Sequence, residues 1–151
     1  MTVSKETTQS NQVDEMEVAR RVGETMMSND KAAQALGIKL LEIRPGYSKM
    51  SMVVRKDMLN GLDICHGGMT FALADTAFAY SCNSRNRKTV ALHCTINYAA
   101  SSLEGDELTA VAEEKSLAGR TGIYDITISN QQGKSVAHFR GTSYGTSGTV
   151  Y

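Results

Sequence analysis

The chain has 151 residues, which accommodates one domain and leaves little room for a second. Hydrophobic residues make up 41% of it and proline occurs once, so a folded core is expected. The 16 basic and 16 acidic side chains cancel, which argues against a general nucleic-acid binder. No apolar run is long enough for a membrane span, and the amino-terminal residues do not resemble a secretory signal. We therefore expect a soluble, cytoplasmic protein that binds neither nucleic acid nor membranes.

The first third of the chain predicts a tail, two helices and two strands. Residues 1–12 are polar and aperiodic, and we expect them to form a flexible tail. From Val13 onward apolar residues recur at helical spacing, and a second short helix is expected to end at Gly37. Strand-like alternation then occupies two segments on either side of the turn Pro45-Gly46, namely 38–44 and 47–55.

The remainder predicts one apolar helix followed by a series of strands. Residues 67–82 carry a single acid, Asp75, and lack a wide polar face, so we expect a helix buried nearly all round. Short turns separate the later strands, which predicts antiparallel pairing. These strands are 89–98, 108–115, 122–129 and 135–144. The pattern favours an α+β fold in which a curved antiparallel sheet wraps around a long central helix. The single domain is expected at 13–144, with 145–151 as a second flexible tail.

The cysteines and histidines do not have the spacing of a metal site. Cys65, Cys82 and Cys94 are widely separated and form no C-x-x-C pair. This spacing fits neither a zinc knuckle nor a disulfide framework. The three histidines show no ligand motif. We therefore expect buried, reduced thiols and no metal or other cofactor.

Two features of the apolar helix are candidates for catalytic groups. Gly67 and Gly68 open it and leave its first amides uncovered, as suits a polarised carbonyl, although a glycine pair also permits close backbone packing. Asp75 lies among apolar residues, where a carboxylate is costly unless it is bonded to the backbone, paired with a base or used in catalysis. Eight residues separate Asp75 from Gly67, or ~12 Å of helix rise. If both act on one substrate, they must belong to different subunits of a symmetric dimer.

Two polar residues before the helix are further candidates. His66 either hydrogen-bonds a substrate or has a structural role in the loop. Asn60 can hold a water or a carbonyl through its amide, or it is an ordinary turn residue.

These residues together resemble the hotdog-fold acyl-CoA thioesterases of the PaaI type, which act in phenylacetate degradation. Asn60, the block His66-Gly67-Gly68 and the pair Ala74-Asp75 match that family's active-site pattern in order and spacing. The resemblance spans 36–144 and includes three further motifs: Ile96-Asn97-Tyr98, Glu104-Gly105-Asp106 and Gly122-Ile123-Tyr124-Asp125-Ile126. It implies the hotdog fold, with two subunits pairing into a continuous sheet and commonly assembling further into a homotetramer.

The resemblance also implies hydrolysis of acyl-CoA without a metal or organic cofactor. Asp75 would activate a water or attack the thioester itself, while the Gly67 amide of the other subunit polarises the carbonyl. His66 and Asn60 would help to hold the carbonyl and the water. By family analogy the acyl group is expected to be aromatic, such as phenylacetyl or hydroxyphenylacetyl.

The remaining substrate contacts are assigned less directly. Some relatives carry a Ser or Thr where this chain has Ala91, and Thr76 is the candidate substitute for that hydroxyl. Gly68 is also expected to contact the substrate. For the CoA phosphates, Arg120 with Thr121 and Gly122 is the preferred site, and further basic residues lie at 85, 87, 88 and 115.

Two other functions stay open at this point. A hotdog dehydratase or hydratase would act on acyl thioesters with His66 as its base. A non-catalytic protein would bind acyl-CoA without releasing free thiol. Measuring thiol release separates both from a thioesterase.

Overall fold

The computed structural model describes the backbone of residues 3–151 and the side chains from Asp14 onward. Met1 and Thr2, which belong to the predicted tail, lie outside the described residues. The described chain forms three α-helices and six strands. The helices are α1 Val3–Asn29, α2 Lys31–Ala35 and α3 Gly67–Asn83. The strands are β1 Lys39–Arg44, β2 Tyr47–Val53, β3 Thr89–Tyr98, β4 Glu107–Ala118, β5 Thr121–Ser129 and β6 Ser135–Gly145.

The six strands form one antiparallel sheet in the order β1-β2-β4-β5-β6-β3. Strand β3 follows α3 in the chain, yet it lies at the edge of the sheet beside β6. On the inner face Ile96, Phe139 and Ile126 lie in register on β3, β6 and β5. Helix α3 packs against this face, so the core lies between one helix and a sheet that curves around it. The predicted α+β architecture is confirmed.

Helix α3 is buried along one side and, from Tyr80 to Asn83, at every position of its last turn. Leu73, Ala74, Ala77 and Phe78 are at most 1% exposed. A stripe along the helix is half-buried instead, because the sheet covers only part of the helix surface. The stripe consists of Phe71, Ala72, Asp75, Thr76 and Ala79. The expectation of burial nearly all round is therefore wrong for the stripe that contains Asp75.

The two ends of the chain differ from the simplest expectation. Helix α1 begins at Val3, well before the apolar periodicity that predicted it, and among its side chains from Asp14 onward Ala19 and Val22 are fully buried. At the other end, the amides of Val150 and Tyr151 donate to Asn86 Oδ1 at 2.9 and 3.2 Å. The flexibility of both tails stays a prediction. Among the described residues, no helix has the length and apolar character needed to cross a membrane.

Candidate active site

The start of α3 presents a backbone amide, that of Gly67, without a hydrogen-bond partner in the described part of the chain. His66 caps the helix, and its Nδ1 accepts a hydrogen bond from the Gly68 amide at 2.9 Å. The Gly67 amide donates to no acceptor within the described residues. Because Nδ1 is an acceptor, a neutral His66 ring carries its proton on Nε2, which can still donate. Gly67 therefore offers a free donor at the positive end of the helix, whereas the Gly68 amide is already bonded.

Tyr98, at the end of β3, closes over the same helix terminus. Its hydroxyl donates to the Gly67 carbonyl at 2.8 Å. A Cβ added to Gly67 would lie 3.1 Å from the Tyr98 ring, so the close approach depends on the glycine. Sequence reasoning did not single out Tyr98 as a site residue, although it belongs to a motif of the resemblance.

Asn60 reaches this terminus through a short looped segment. The loop is closed by a bridge between Leu59 and Cys65, and Asn60 Oδ1 accepts from the Leu62 amide at 2.9 Å. That oxygen therefore has the turn role considered above, while the Asn60 NH₂ group remains available as a donor. Asn60, Gly67 and Tyr98 line one cavity of about 330 Å³. The cavity also contains a residue that the sequence did not suggest: Ser102 is buried, and its hydroxyl has no hydrogen-bond partner in the described structure.

Asp75 lies midway along α3 on the half-buried stripe. It makes neither a hydrogen bond nor an ion pair with any described residue. Burial raises the pKa of its carboxyl above the ordinary value, because desolvation disfavours the charged form. A base with a raised pKa accepts a proton more readily, so this environment suits general base catalysis.

A single chain does not bring the two principal candidates, Gly67 and Asp75, together. Helix α3 is continuous between Gly67 and Asp75, so their separation of ~12 Å along its axis is fixed. Asp75 is not among the residues that line the cavity beside Gly67. The structure of the single chain therefore brings together Asn60, His66 and Gly67, and leaves Asp75 apart from them.

The thiols are poorly suited to nucleophilic catalysis. Burial is the largest cause raising the pKa of Cys65, Cys82 and Cys94, and the pKa of Cys82 reaches about 12. The carboxylate of Asp75 adds a smaller rise at Cys82 and Cys94. Their thiolates are therefore scarce at neutral pH. In the part of the chain that the structure describes, no three His, Cys, Asp or Glu residues are grouped as metal ligands.

The remaining predicted contacts lie elsewhere. The Thr76 hydroxyl donates to the Ala72 carbonyl at 2.7 Å, so it is not a free donor. Arg120 and Thr121 are exposed at the turn between β4 and β5, and Gly122 is buried just beyond it. This turn is separate from the cavity beside Gly67 and lines a different one.

Comparison with known proteins places this arrangement in a family. The chain is 48% identical over 125 residues to the acyl-coenzyme A thioesterase PaaI of Escherichia coli, covering 83% of this chain and 89% of that protein. The structure of the E. coli PaaI protein from the phenylacetic acid degradation operon superposes with a TM-score of 0.88 at 46% identity, covering 89% of this chain and 97% of the other.

A more distant solved structure contains a ligand. It is a Streptococcus mutans protein bound to acetyl-CoA, with a TM-score of 0.71 at 27% identity, covering 74% of this chain and 90% of that one. Residues 62–137 match the thioesterase superfamily, a segment that includes α3, β3, β4, β5 and the start of β6. The predicted hotdog fold and thioesterase class are thereby confirmed. The chain belongs to the thioesterase superfamily.

Proposed function

We propose that the protein hydrolyses acyl-CoA thioesters to the free acid and CoA, with an aromatic acyl group such as phenylacetyl or hydroxyphenylacetyl. The observation that carries this proposal is the partnerless, half-buried carboxylate of Asp75 on the same helix that begins with the free Gly67 amide. A thioesterase needs an activated nucleophile and a donor for the developing oxyanion, and these two groups supply them. The similarity to E. coli PaaI supports the choice of substrate.

In this proposal the site is shared between two subunits. The ~12 Å of helix rise between them prevents Asp75 and Gly67 of one chain from contacting the same carbonyl. Edge strand β3 has an unpaired side, and its exposed residues include Val90 and Leu92 at 51% and 60% exposure. Such an edge is suited to antiparallel pairing with the same strand of a second copy. The resulting dimer is the minimum assembly, and a homotetramer built from two dimers is the assembly we expect.

The reaction then proceeds by addition and elimination at the thioester carbonyl. The Gly67 amide of one subunit donates to the carbonyl oxygen, with His66 Nε2–H and the Asn60 amide as additional donors. Asp75 of the other subunit removes a proton from water as the water oxygen attacks the carbonyl carbon. The C–S bond breaks next, and the proton passes to the departing CoA thiolate. Direct attack by Asp75, followed by hydrolysis of the mixed anhydride, uses the same geometry.

The main competing function is hydration or dehydration of an acyl thioester, which requires His66 as a base. In the structure the lone pair of His66 Nδ1 is occupied by the Gly68 amide. The other nitrogen then carries the proton in the neutral ring and donates rather than accepts. This geometry favours a thioesterase over a hydratase.

The decisive experiment compares Asp75→Asn with the wild-type enzyme in a thiol-release assay. The substrates are phenylacetyl-CoA, hydroxyphenylacetyl-CoA and a straight-chain acyl-CoA. We expect kcat to fall by about 10²- to 10⁴-fold in the variant, since it lacks the base. Asp57→Asn is the matched control, because Asp57 is an exposed acid whose carboxylate already pairs with Arg55 at 3.0 Å. Near-normal hydrolysis by Asp75→Asn would exclude this function for Asp75, and ligand binding without thiol release by the wild type would indicate a binding protein.

A further inference from the structure

The peptide group between Gly67 and Gly68 is hydrogen-bonded at both of its ends by side chains from different parts of the fold. Its carbonyl, that of Gly67, accepts a hydrogen bond from the Tyr98 hydroxyl at 2.8 Å. Its amide, that of Gly68, donates to Nδ1 of His66 at 2.9 Å. Tyr98 is 31 residues away from Gly67 in the chain, whereas His66 immediately precedes the glycine pair. One peptide group therefore joins the edge strand to the cap of the central helix.

Each glycine of the pair makes room for one of these two side chains. A Cβ on Gly67 would lie 3.1 Å from the ring and hydroxyl of Tyr98, and a Cβ on Gly68 would lie 3.0 Å from His66 Nδ1. Both distances are shorter than ordinary van der Waals contact, so the two side chains require the two glycines. Two adjacent glycines also have unusual conformational freedom. The hydrogen bonds of Tyr98 and His66 restrict that freedom.

The sheet fixes the position of the Tyr98 hydroxyl. Tyr98 is paired with Ala137 in the register of β3 with β6, and the amide of the next residue, Ala99, donates to the Val136 carbonyl at 2.8 Å. The backbone that carries Tyr98 is therefore held by β6, although 53% of the residue is exposed. A side chain on a paired strand positions its partner more accurately than one on a loop.

These contacts determine the direction of the free Gly67 amide. The peptide that contains this amide is bonded through its own carbonyl, because the His66 carbonyl accepts from the Met69 amide at 2.9 Å. The following peptide is bonded at both ends by Tyr98 and His66. With the peptides on both sides of the Gly67 Cα restrained, the N–H has one orientation. A donor that does not need to reorient stabilises a developing oxyanion most effectively.

The same contacts determine which nitrogen of His66 carries the proton. Hydrogen bonds in a chain polarise one another, so donation from Tyr98 to the peptide carbonyl strengthens the Gly68 amide as a donor. That amide donates to Nδ1, which leaves the proton of the neutral ring on Nε2. The chain from Tyr98 through the peptide to His66 thus favours the tautomer that can donate to a carbonyl.

We propose that Tyr98 is a positioning residue, which orients the Gly67 amide and the His66 Nε2–H through the peptide between Gly67 and Gly68. This assignment rests on the proposed acyl-CoA thioesterase function. Tyr98 acts through this peptide, and both donors gain strength as negative charge develops on the carbonyl oxygen. Loss of the Tyr98 hydroxyl therefore lowers kcat and leaves KM nearly unchanged.

The kinetic test uses Tyr98→Phe, which removes the hydroxyl and keeps the ring. With phenylacetyl-CoA we expect kcat to fall about tenfold while KM changes less than about twofold. Tyr47→Phe is the matched control, because Tyr47 lies on β2 with its ring against the Arg44 guanidinium. It should retain wild-type kinetics. A normal kcat for Tyr98→Phe would overturn the assignment, and so would a raised KM at normal kcat, which would indicate a substrate contact.

A second measurement reads the His66 tautomer directly and does not require activity. In ¹⁵N-histidine-labelled protein, at a pH above the ordinary histidine pKa of about 6.5, NMR should show the Nε2–H form of His66 in the wild type. His66→Gln identifies the signal. Tyr98→Phe should add the Nδ1–H form, and an unchanged tautomer would overturn the assignment. A folded wild type that shows the Nε2–H form but releases no thiol from acyl-CoA would instead overturn the proposed function.

Gly68→Ala tests the other side of the same peptide. Its methyl group would lie 3.0 Å from His66 Nδ1 and displace the ring, while Tyr98 stays intact. We expect the same mixture of His66 tautomers and a comparable fall in kcat. A wild-type tautomer in Gly68→Ala would contradict the role of the glycine pair.

Discussion

At the scale of single residues, Asp75 is recognised as a candidate functional group because its carboxylate has no partner among the described residues. Several surface carboxylates of this protein pair with nearby cations, as Asp125 does with Arg140 at 2.6 Å, which lowers the pKa of Asp125. Asp75 has no such partner among the described residues, and burial shifts its pKa upward. The two acids thus deviate in opposite directions for identifiable physical reasons.

The raised pKa of Asp75 predicts the acid limb of the pH profile. The base is active when ionised, so kcat/KM should fall as pH decreases through the pKa of Asp75. The midpoint of that limb should lie at a pH above the ordinary aspartate pKa of about 3.9. Initial rates of thiol release measured across pH provide the check. A limb at or below the ordinary value would contradict the desolvated setting of Asp75.

The same group predicts a pH-dependent difference in stability. Because the folded-state pKa is raised, the folded protein loses stability relative to the unfolded chain as pH rises from the unfolded to the folded pKa. Asp75→Asn lacks this penalty, so its melting temperature should exceed that of the wild type at neutral pH. The gap should narrow in acid, where Asp75 is protonated. Thermal unfolding of both proteins at several pH values measures it, and a less stable variant at neutral pH would show that Asp75 has a structural partner.

Gly67 provides a steric prediction. In Gly67→Ala the new methyl group would lie 3.1 Å from the Tyr98 ring and shift the helix terminus. We expect kcat/KM to fall by about 10- to 100-fold, because a small displacement of a preorganised donor is costly. Gly61→Ala is the matched control, since nothing lies within 4 Å of its added methyl group. Equal activities of the two variants would remove Gly67 from the site.

The residue roles were only partly predictable from the sequence. Asp75 and Gly67 stood out because a lone acid and an opening glycine pair are unusual in an apolar helix. The contact of Tyr98 with Gly67 spans 31 residues, and the pairing of His66 Nδ1 with the Gly68 amide depends on the helix cap. These two contacts depend on the folded geometry, so they could not be predicted from the sequence alone.

At the scale of elements, Asn83 joins the end of α3 to the start of β3. Its side chain is 5% exposed and bonds to Thr89 twice, by accepting from the amide at 2.9 Å and donating to the carbonyl at 3.0 Å. It also donates to the Ala79 carbonyl at 2.9 Å. This one amide therefore sets where the edge strand begins relative to the central helix.

Removing that amide should weaken the whole fold. For Asn83→Ala we expect a loss of about 2–3 kcal/mol in the free energy of unfolding, because the buried groups of Thr89 lose their partners. Urea unfolding followed by circular dichroism measures the loss. Asn97→Ala, on the exposed face of β3, serves as the comparison and should be close to neutral. A loss no greater than that of the comparison would mean that water replaces the Asn83 side chain.

The bounds of β3 and α3 were predicted well, and the end of β4 was not. The expected strand 89–98 coincides with β3, and the expected helix 67–82 differs from α3 by one residue. Strand β4 extends to Ala118, beyond the predicted end at 115, because a register shift between Glu114 and Ser116 interrupts its alternation. A bulge moves side chains to the other face, so pattern reading ends too early.

At the scale of the whole molecule, the sequence predicted a sheet around a helix and did not predict the order of its strands. Strand β3 is adjacent to β6, across two intervening strands in the chain. Alternating burial indicates which side chains face the core, but it does not indicate which strand is the neighbour. The position of β3 at the edge is the fact on which the proposed dimer depends.

A shared site predicts complementation between two inactive variants. Asp75→Asn and Gly67→Val are each expected to lack activity, since each damages one half of every site. In mixed dimers one of the two sites combines an intact Asp75 with an intact Gly67. Random association should therefore restore about a quarter of the wild-type activity. Refolding the two variants together and assaying thiol release provides the measurement. Continued inactivity of a verified mixed dimer would contradict a site shared between the two subunits.

The unpaired side of β3 has a consequence for how the enzyme behaves on dilution. If this edge holds the subunits together, turnover requires an encounter between two chains, and mass action then governs the active fraction. Specific activity should decline once the protein concentration falls below the dissociation constant of the dimer, and it should return on concentration. An enzyme of this design loses both catalytic centres in a single dissociation event.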